Sequence, residues 1–512
     1  MTTLNRDQQK IFDTVFKTNN LNLLTAKGGC GKSYLTAQII AKELEAGTLV
    51  TIVAPSHTAR SVIEKEITNL YNGDGMWNNQ RHQVLSMTVA AALGKRPDFS
   101  KAPSNFKDTP FIIDINAGKL LDNTNKDKNR LLIIEEISMV GKLEIIKMLD
   151  LWGDHPILAV GDFRQIPPVN ASSCKPTLIK YYKEGTLSHF KLEQNMRSDR
   201  DTNIVELCDM VYDQDGILAN ELIDSEEFKG VTFYNKPDEF KAAFKNRLND
   251  GATCTAIAYK NKQVNNYMQI GSGSDAVDIR KGDLVRLHEG ITIDYKDLSN
   301  KWVKETVANN GDIVKVLDYK YTGLQWQHPL LETPIEYGVI TLDIPHPDFY
   351  IGGYIKLLIP GNINDGANAG TKGAYGKAFG ELLKLVSNAV KELNEGDETG
   401  EYYLKFYNGL NDYDTGMRTI LDGYDTRIGK GKPDTLKYKS RLLFGRGFYG
   451  ERSQFINLTK LYSLTAHKSQ GQSIDVIFAD LADIVKSSRS SETKHLSYVA
   501  CSRAKKELHV LI

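Results

Sequence analysis

The chain has 512 residues, 41% hydrophobic and 25% charged, which is too long for one core and excludes a disordered or fibrous protein; about three or four domains are expected. Sixty-four basic residues balance 64 acidic ones, so a nucleic-acid partner cannot follow from overall charge and has to rest on local patches. Five scattered cysteines without a C-x-x-C pair argue against a disulfide framework or a zinc site, and fit a reducing compartment.

Met1 to Arg6 carries no apolar signal region, and no later run reaches the ~18 apolar residues of a membrane span, so neither a cleaved signal nor a membrane segment is expected. Leu4, Gln8, Ile11, Phe12, Val15 and Phe16 recur at helical spacing and predict a helix over 4–17. Taken alone, Gln8 reads as a solvent-facing helical glutamine. The apolar run Leu21 to Leu24 predicts a buried strand, Ala26-Lys27-Gly28-Gly29-Cys30-Gly31-Lys32-Ser33 a glycine-rich turn, and Leu35, Ile39, Ile40 and Leu44 a helix. Strand, turn, Gly-Lys-Ser and helix form the setting of a phosphate-binding P-loop. Backbone N–H groups and the helix N-terminus face phosphate oxygens, Lys32 reaches the β- and γ-phosphates, and Ser33 holds Mg²⁺. Ala26 stands where that motif has its first glycine.

Leu49 to Ala54 predicts the next strand, which makes a βαβ unit and implies a parallel sheet. Pro55, Ser56, His57, Thr58 and Arg60 then fall beyond a C-terminal strand end, where such sheets bind ligands. Their hydroxyls, imidazole and guanidinium suit a phosphate backbone, and a plain polar loop is an equal reading. Residues 95–125 break the pattern and predict an excursion with a short strand near Pro110 to Asp114. Leu131 to Ile134 is a buried strand ending in Glu135-Glu136, two charges that are costly to desolvate. Beside a P-loop the pair makes a Walker B site, with Glu135 facing Mg²⁺ and Glu136 orienting or deprotonating the attacking water. After the strand Pro156 to Val160, Gln165 is placed to sense a γ-phosphate; an ordinary polar loop residue is the alternative.

The second half opens with a strand at Cys254 to Tyr259 and a helix that starts around Asn261. Gly271 to Ala276 matches a dinucleotide fingerprint in letters but follows a helix, and is rejected on that ground. Residues 286–456 predict a β-rich insertion. It has strands near 313–317 and 337–342, a Gly/Asn loop at 361–373 and an amphipathic helix over 374–394 with Phe379, Leu382, Val386, Val390 and Leu393 on one face. Residues 426–460 hold nine Lys/Arg against Asp434 and Glu451, interleaved with Phe444, Phe448, Tyr449 and Phe455. That texture suits single-stranded nucleic acid, through phosphate neutralisation and base stacking, and equally suits a solvated loop. The α/β pattern returns at Leu461, with strands at Ile474 to Phe478 and Leu508 to Ile512.

Together these stretches resemble superfamily 1B helicases of the phage Dda-type and RecD-like kind. Leu4-Asn5-Arg6-Asp7-Gln8 looks like the Q motif, whose glutamine reads adenine. Ala54 to Ala59 is similar to motif Ia, Glu135 to Met139 to motif II, and Gly161 to Val169 to motif III. Leu192 to Arg197 resembles motif IV, Thr465 to Ser473 motif V, and Tyr498 to Arg503 motif VI. Asn309-Asn310-Gly311-Asp312 looks like the segment that leads into the family's SH3-like domain. The 95–125 excursion falls where the family carries its strand-separating pin.

The resemblance implies an α/β fold of two RecA-like parallel-sheet domains, with a small pin insertion in the first and a β-rich SH3-like domain in the second. The implied bounds are 1–86 and 126–195 for the first domain, 87–125 for the pin, 196–285 and 457–512 for the second domain, and 286–456 for its insertion. ATP and Mg²⁺ are the implied cofactors. The nucleotide-binding set is Gln8, Gly28, Gly29, Cys30, Gly31, Lys32, Ser33 and Gly471, with Ser33 and Glu135 as metal ligands. Lys32, Glu136, Gln165 and two arginine fingers, Arg197 and Arg503, carry the chemistry. DNA contacts fall to Pro55, Ser56, His57, Thr58, Thr88, Asn261, Thr465, His467 and Lys468.

The implied activity is ATP-dependent 5′→3′ translocation on single-stranded DNA with duplex unwinding, in phage replication or recombination. The setting is the host cytoplasm, the protein is a monomer, and the partners are single-stranded DNA, junctions and replication or ssDNA-binding proteins. A translocase that does not unwind, an ATP-switched loading protein and an RNA helicase are the rival readings. The sequence departs from the family at Ala26, at Cys30 (which sets an oxidisable thiol beside the nucleotide), at Glu135 in place of Asp, and at Thr88-Val89-Ala90, where the family's histidine is missing.

Overall fold

The β-branched and leucine-rich runs seen in the sequence form strands in the computed structural model. It describes residues 4–512 apart from 72–82, 98–110, 121–128, 169–170, 195, 197–201, 217, 219–227, 251, 253, 273–278, 288–289, 297–301, 309–310, 327–333, 346–353, 361–373, 414–418, 423–431 and most of 433–457. In chain order the strands begin with β1 Leu21–Ala26, β2 Leu49–Ala54, β3 Val84–Thr88, β4 Lys95–Pro97, β5 Phe111–Ile113, β6 Arg130–Ile134, β7 Ile157–Gly161 and β8 Leu187–Leu192. They continue with β9 Val231–Tyr234, β10 Cys254–Ala258, β11 Leu284–Leu287, β12 Ile291–Lys296, β13 Trp302–Ala308, β14 Ile313–Trp326, β15 Ile335–Pro345 and β16 Tyr354–Pro360. The last four are β17 Leu458–Lys460, β18 Ser463–Thr465, β19 Ile474–Asp480 and β20 Ala504–Leu511.

Contacts divide the chain into two units. The first unit comprises 1–95, 114–274 and 461–512 and holds two parallel sheets. One sheet, the first lobe, has the order β3-β2-β6-β7-β1-β8. The other, the second lobe, has the order β18-β10-β19-β20-β9. Every pairing in both is parallel. Strands buried on both faces read as unbroken apolar runs, and β6, β7 and β10 are buried at every position. The fold is the expected pair of RecA-like α/β domains. Parallel pairing places all strand C-termini of a sheet on one edge. Ala54 lies opposite Thr88, and Thr25 opposite Gly161, so the loops after β1, β2, β3, β6 and β7 cluster there.

The second unit comprises 96–113 and 275–460. It contains the five-stranded sheet β16-β15-β14-β11-β17, antiparallel throughout, and the antiparallel pair β12–β13. The helix Ala374–Asn394 forms as its periodicity predicts and buries Leu382, Val386, Val390 and Leu393 against Tyr403 and Phe406. Those partners come from the helix Glu401–Tyr413, which the sequence reading missed. The excursion from the first lobe forms the paired strands β4 and β5; residues 98–110 between them lie outside the described residues.

Where it is described, the basic stretch 426–460 is structural and does not have the nucleic-acid-facing texture expected from its sequence. Lys439 pairs with Glu398 at 2.8 Å and Lys460 with Asp283 at 2.9 Å, each lysine side chain only 2–3% exposed. Phe455 is buried in the core between sheet and helices. These charges neutralise buried carboxylates and this ring packs, so none of the three faces a nucleic acid; most of the remaining basic residues and the other aromatics lie outside the described residues. Among the described residues no helix is long and apolar enough to cross a membrane.

Candidate active site

The P-loop follows β1 and runs into the helix Lys32–Glu45, whose N-cap, Gly31, has φ +73°. A side chain there would be strained, and its Cβ would sit 2.6 Å from Gln8 Nε2. Gln8 is therefore buried beside the loop, not solvent-facing, and donates to Gly31 O at 3.5 Å. It also closes a capping box with Asn5 at the start of the helix Arg6–Thr14. Lys32 Nζ donates to the carbonyls of Ala26 and Lys27 at 3.1 and 3.2 Å, folded onto its own loop.

Cys30 differs from expectation. Its side chain is 1% exposed in the core of the first lobe, and its thiol donates to Glu193 O at 3.7 Å. Burial pushes its pKa up, with Lys32 and Lys27 only partly opposing. The thiol thus turns away from the cavity that the neighbouring P-loop residues line, and the expected oxidisable group beside a nucleotide is not there.

Gly28, Gly29, Gly31, Lys32 and Ser33 form one wall of a cavity of about 290 Å³. Glu135 and Glu136, at the end of β6, form its floor. Glu136 has φ +48°, a strained conformation for a non-glycine residue that sets its carboxylate at the strand end. Glu135 is 5% exposed, and burial followed by the charge of Glu136 raises its carboxyl to about 8. Glu135 Oε1 and Glu136 Oε2 are buried without a hydrogen-bond partner. Two orphaned carboxylate oxygens beside Ser33 are a donor set that fits a hard divalent cation.

The opposite wall comes from the second lobe. Gly471, with φ +79°, and Arg503 both line the cavity. Arg503 is 1% exposed; its guanidinium donates to Val499 O, Gln472 O and Ser502 Oγ at 3.1, 3.3 and 2.9 Å. Burial lowers its pKa, and Glu136, Tyr498 and Asp162 oppose that shift. Gln165 reaches the cavity from the loop after β7, and its Oε1 accepts from Gln470 Nε2 at 3.1 Å. Arg197, the other finger candidate, lies outside the described residues.

The candidate DNA contacts sit at strand C-termini. Pro55 and His57 follow β2, and Thr88 ends β3 beside them. Asn261 follows β10, and Thr465 ends the adjacent β18, with His467 and Lys468 exposed on the next turn. Ser56, Thr88 and Thr465 share a function the sequence reading did not anticipate. Their hydroxyl oxygens cap helices, accepting from the N–H groups of Ala59, Ala91 and Lys468 at 3.1, 3.2 and 3.3 Å. Thr58 lies in the helix His57–Leu70.

Two links between the lobes were missed. The Tyr498 hydroxyl accepts from Gly28 N–H at 3.1 Å and donates to Asp162 Oδ2 at 2.8 Å. All three residues lie inside quoted motifs, so the pairing was within reach. Asp209 binds Lys27 and Arg164, each at 2.5 Å. No motif marks Asp209.

Residues 3–228 match the family model described as an AAA domain, and residues 460–511 match the UvrD-like helicase C-terminal domain. Uncharacterized protein R530 of Acanthamoeba polyphaga mimivirus is 22% identical over 534 residues, covering 97% of this chain and 96% of that protein. The ATP-dependent DNA helicase dda of Enterobacteria phage T4 is 22% identical over 333 residues, covering 62% of this chain and 68% of that protein. Among solved structures, the Pif1 helicase from Bacteroides in complex with ADP-AlF3 and ssDNA aligns at TM-score 0.46 with 14% identity, covering 100% of this chain and 92% of that one.

Proposed function

We propose that this chain, a helicase of superfamily 1B, hydrolyses ATP to move 5′→3′ along single-stranded DNA and to open the duplex ahead. The observation that carries this reading is the convergence of Lys32, Glu136 and Gln165 from one sheet and Arg503 from the other on a single cavity. Hydrolysis then requires both lobes, so turnover is tied to their closure.

In the proposed cycle Lys32 leaves the Ala26 and Lys27 carbonyls for the nucleotide's β- and γ-phosphates. Glu136 accepts a proton from the attacking water, and Gln165 orients that water. Arg503, with Arg197 as the second finger, stabilises charge on the transferring phosphoryl group. Mg²⁺, held by Ser33 and Glu135, would neutralise phosphate charge. Glu135 is one methylene longer than the usual aspartate and has the reach for direct contact. Gln8 beside Gly31 is placed to read the base. Opening and closing shift the Pro55–Thr58 and Thr88 edge against the Asn261, Thr465, His467 and Lys468 edge along one strand. The pair β4–β5 serves as the pin, and the antiparallel sheet of the second unit as the SH3-like insertion.

Forked DNA with a 5′ or a 3′ single-stranded tail tests the reading, with Lys32→Ala as control. Unwinding is expected from the 5′ tail alone and to vanish in the control; unwinding only from the 3′ tail overturns the polarity. DNA-independent ATPase with no unwinding from either tail would support the loading protein instead. The relatives in a mimivirus and a phage favour a viral DNA-metabolism setting inside a host cell.

A further inference from the structure

Lys27 occupies a P-loop position that the proposed chemistry does not use. Its ammonium reaches across to Asp209 Oδ2, while Arg164 Nη1, one residue before Gln165, reaches Asp209 Oδ1. All three side chains are about 28–31% exposed, so the charges meet in a partly desolvated seam. Asp209 lies on the helix Ile204–Asp213, and Tyr212, three residues on, shares its face. The Arg164 guanidinium sits 5.2 Å from the Tyr212 ring centre. The Arg164 carbonyl lies 2.8 Å from His495 Nδ1. Thus the second lobe grips Arg164 by its charge, its face and its backbone. It also grips the first half of the P-loop twice, through Asp209 on Lys27 and Tyr498 on Gly28 N–H.

We infer that Asp209 is a positioning residue for hydrolysis, a carboxylate clamp that sets the P-loop and the Gln165 loop in register when the lobes close. It touches neither the nucleotide cavity nor the candidate DNA edge. Its effect passes through Lys27 to the loop that carries Lys32, and through Arg164 to Gln165. One carboxylate holding both loops makes their spacing depend on the second lobe. Without it, Lys27 and Arg164, both on the first lobe, repel each other and the two loops lose their common anchor on the second lobe. The inference rests on the nucleotide site proposed above.

The test is DNA-stimulated ATP turnover by the full chain, measured as kcat and KM separately. Asp209→Asn is expected to lower kcat about tenfold, as misplaced positioning groups do, with KM for ATP within about twofold. Asp209→Glu should restore most of the rate. Lys27→Met should lower kcat less, because Arg164 still holds the carboxylate, and the double variant should be no slower than Asp209→Asn alone. Unchanged kcat in Asp209→Asn overturns the clamp, as does a change confined to KM. Multiplying effects in the double variant also overturn it. Should Asp209→Asn fail to fold, Lys27→Met and Arg164→Gln carry the same kcat-against-KM test. Lys32→Ala separates the two ideas. Wild-type turnover in that variant sinks the nucleotide site itself, whereas a dead Lys32→Ala beside a fully active Asp209→Asn sinks only the clamp.

Discussion

At the scale of single residues, sequence legibility followed contiguity. Lys32 and Ser33 open a helix after a glycine-rich turn, and Glu135 and Glu136 follow a strand end, settings that can be read from neighbours, and the structure brings all four to one cavity. Asp209 could not be found that way, because its partners Lys27 and Arg164 are distant in sequence and a helical aspartate is usually a solvated surface charge. Cys30 was misread for a related reason: position in a motif does not say which way a side chain points. All five cysteines are buried, and burial raises the thiol pKa at Cys30, at Cys174 and Cys254 (to about 12 in each), and at Cys501. Since the thiolate is the reactive form, native protein at neutral pH should take up iodoacetamide only after denaturant is added. Rapid modification of Cys30 in the folded protein, read by mass spectrometry, would show that the P-loop opens far more than this geometry allows.

Among elements, periodicity identified the helix Ala374–Asn394 because its apolar stripe is continuous. The helix Glu401–Tyr413 escaped because exposed Tyr402 and Leu404 blur its stripe beside buried Tyr403 and Phe406. Strand β20 illustrates what an element hides. Its His509 stacks on Phe478 at 4.1 Å and shares a hydrogen bond with Tyr234 Oη at 2.9 Å. Burial lowers its pKa to about 4, against the pull of Glu507. The folded state therefore binds this proton more weakly than the unfolded chain does. The stability contribution is complete above the unfolded value near 6.5 and is lost as pH falls toward 4. Thermal melting at pH 7 and pH 4.5 should show a drop that His509→Gln reduces. An equal drop in that variant would assign the acid sensitivity to other groups.

For the whole molecule, the βαβ pattern disclosed parallel sheets, but not their order, since register across a sheet is set by packing rather than by local sequence. The return of the chain at Leu461 was visible as a change of texture, and the structure shows what that return completes. β10 pairs with β18 on one side and β19 on the other, and both arise after the long insertion. Contacts this distant form late and at high entropic cost. During synthesis β10 emerges with both edges open and waits for some two hundred further residues before either neighbour exists. The ribosome thus releases Lys32 long before Arg503, so a growing chain holds one lobe's share of the cavity well before the other's. A chain cut after residue 460 should be nicked by protease within 204–272 first, with no turnover, while the first sheet resists. Equal resistance in both lobes would mean that the second sheet assembles without its late strands. Assembly order itself then acts as a safety catch on the proposed activity, armed only once the segments on both sides of the insertion exist.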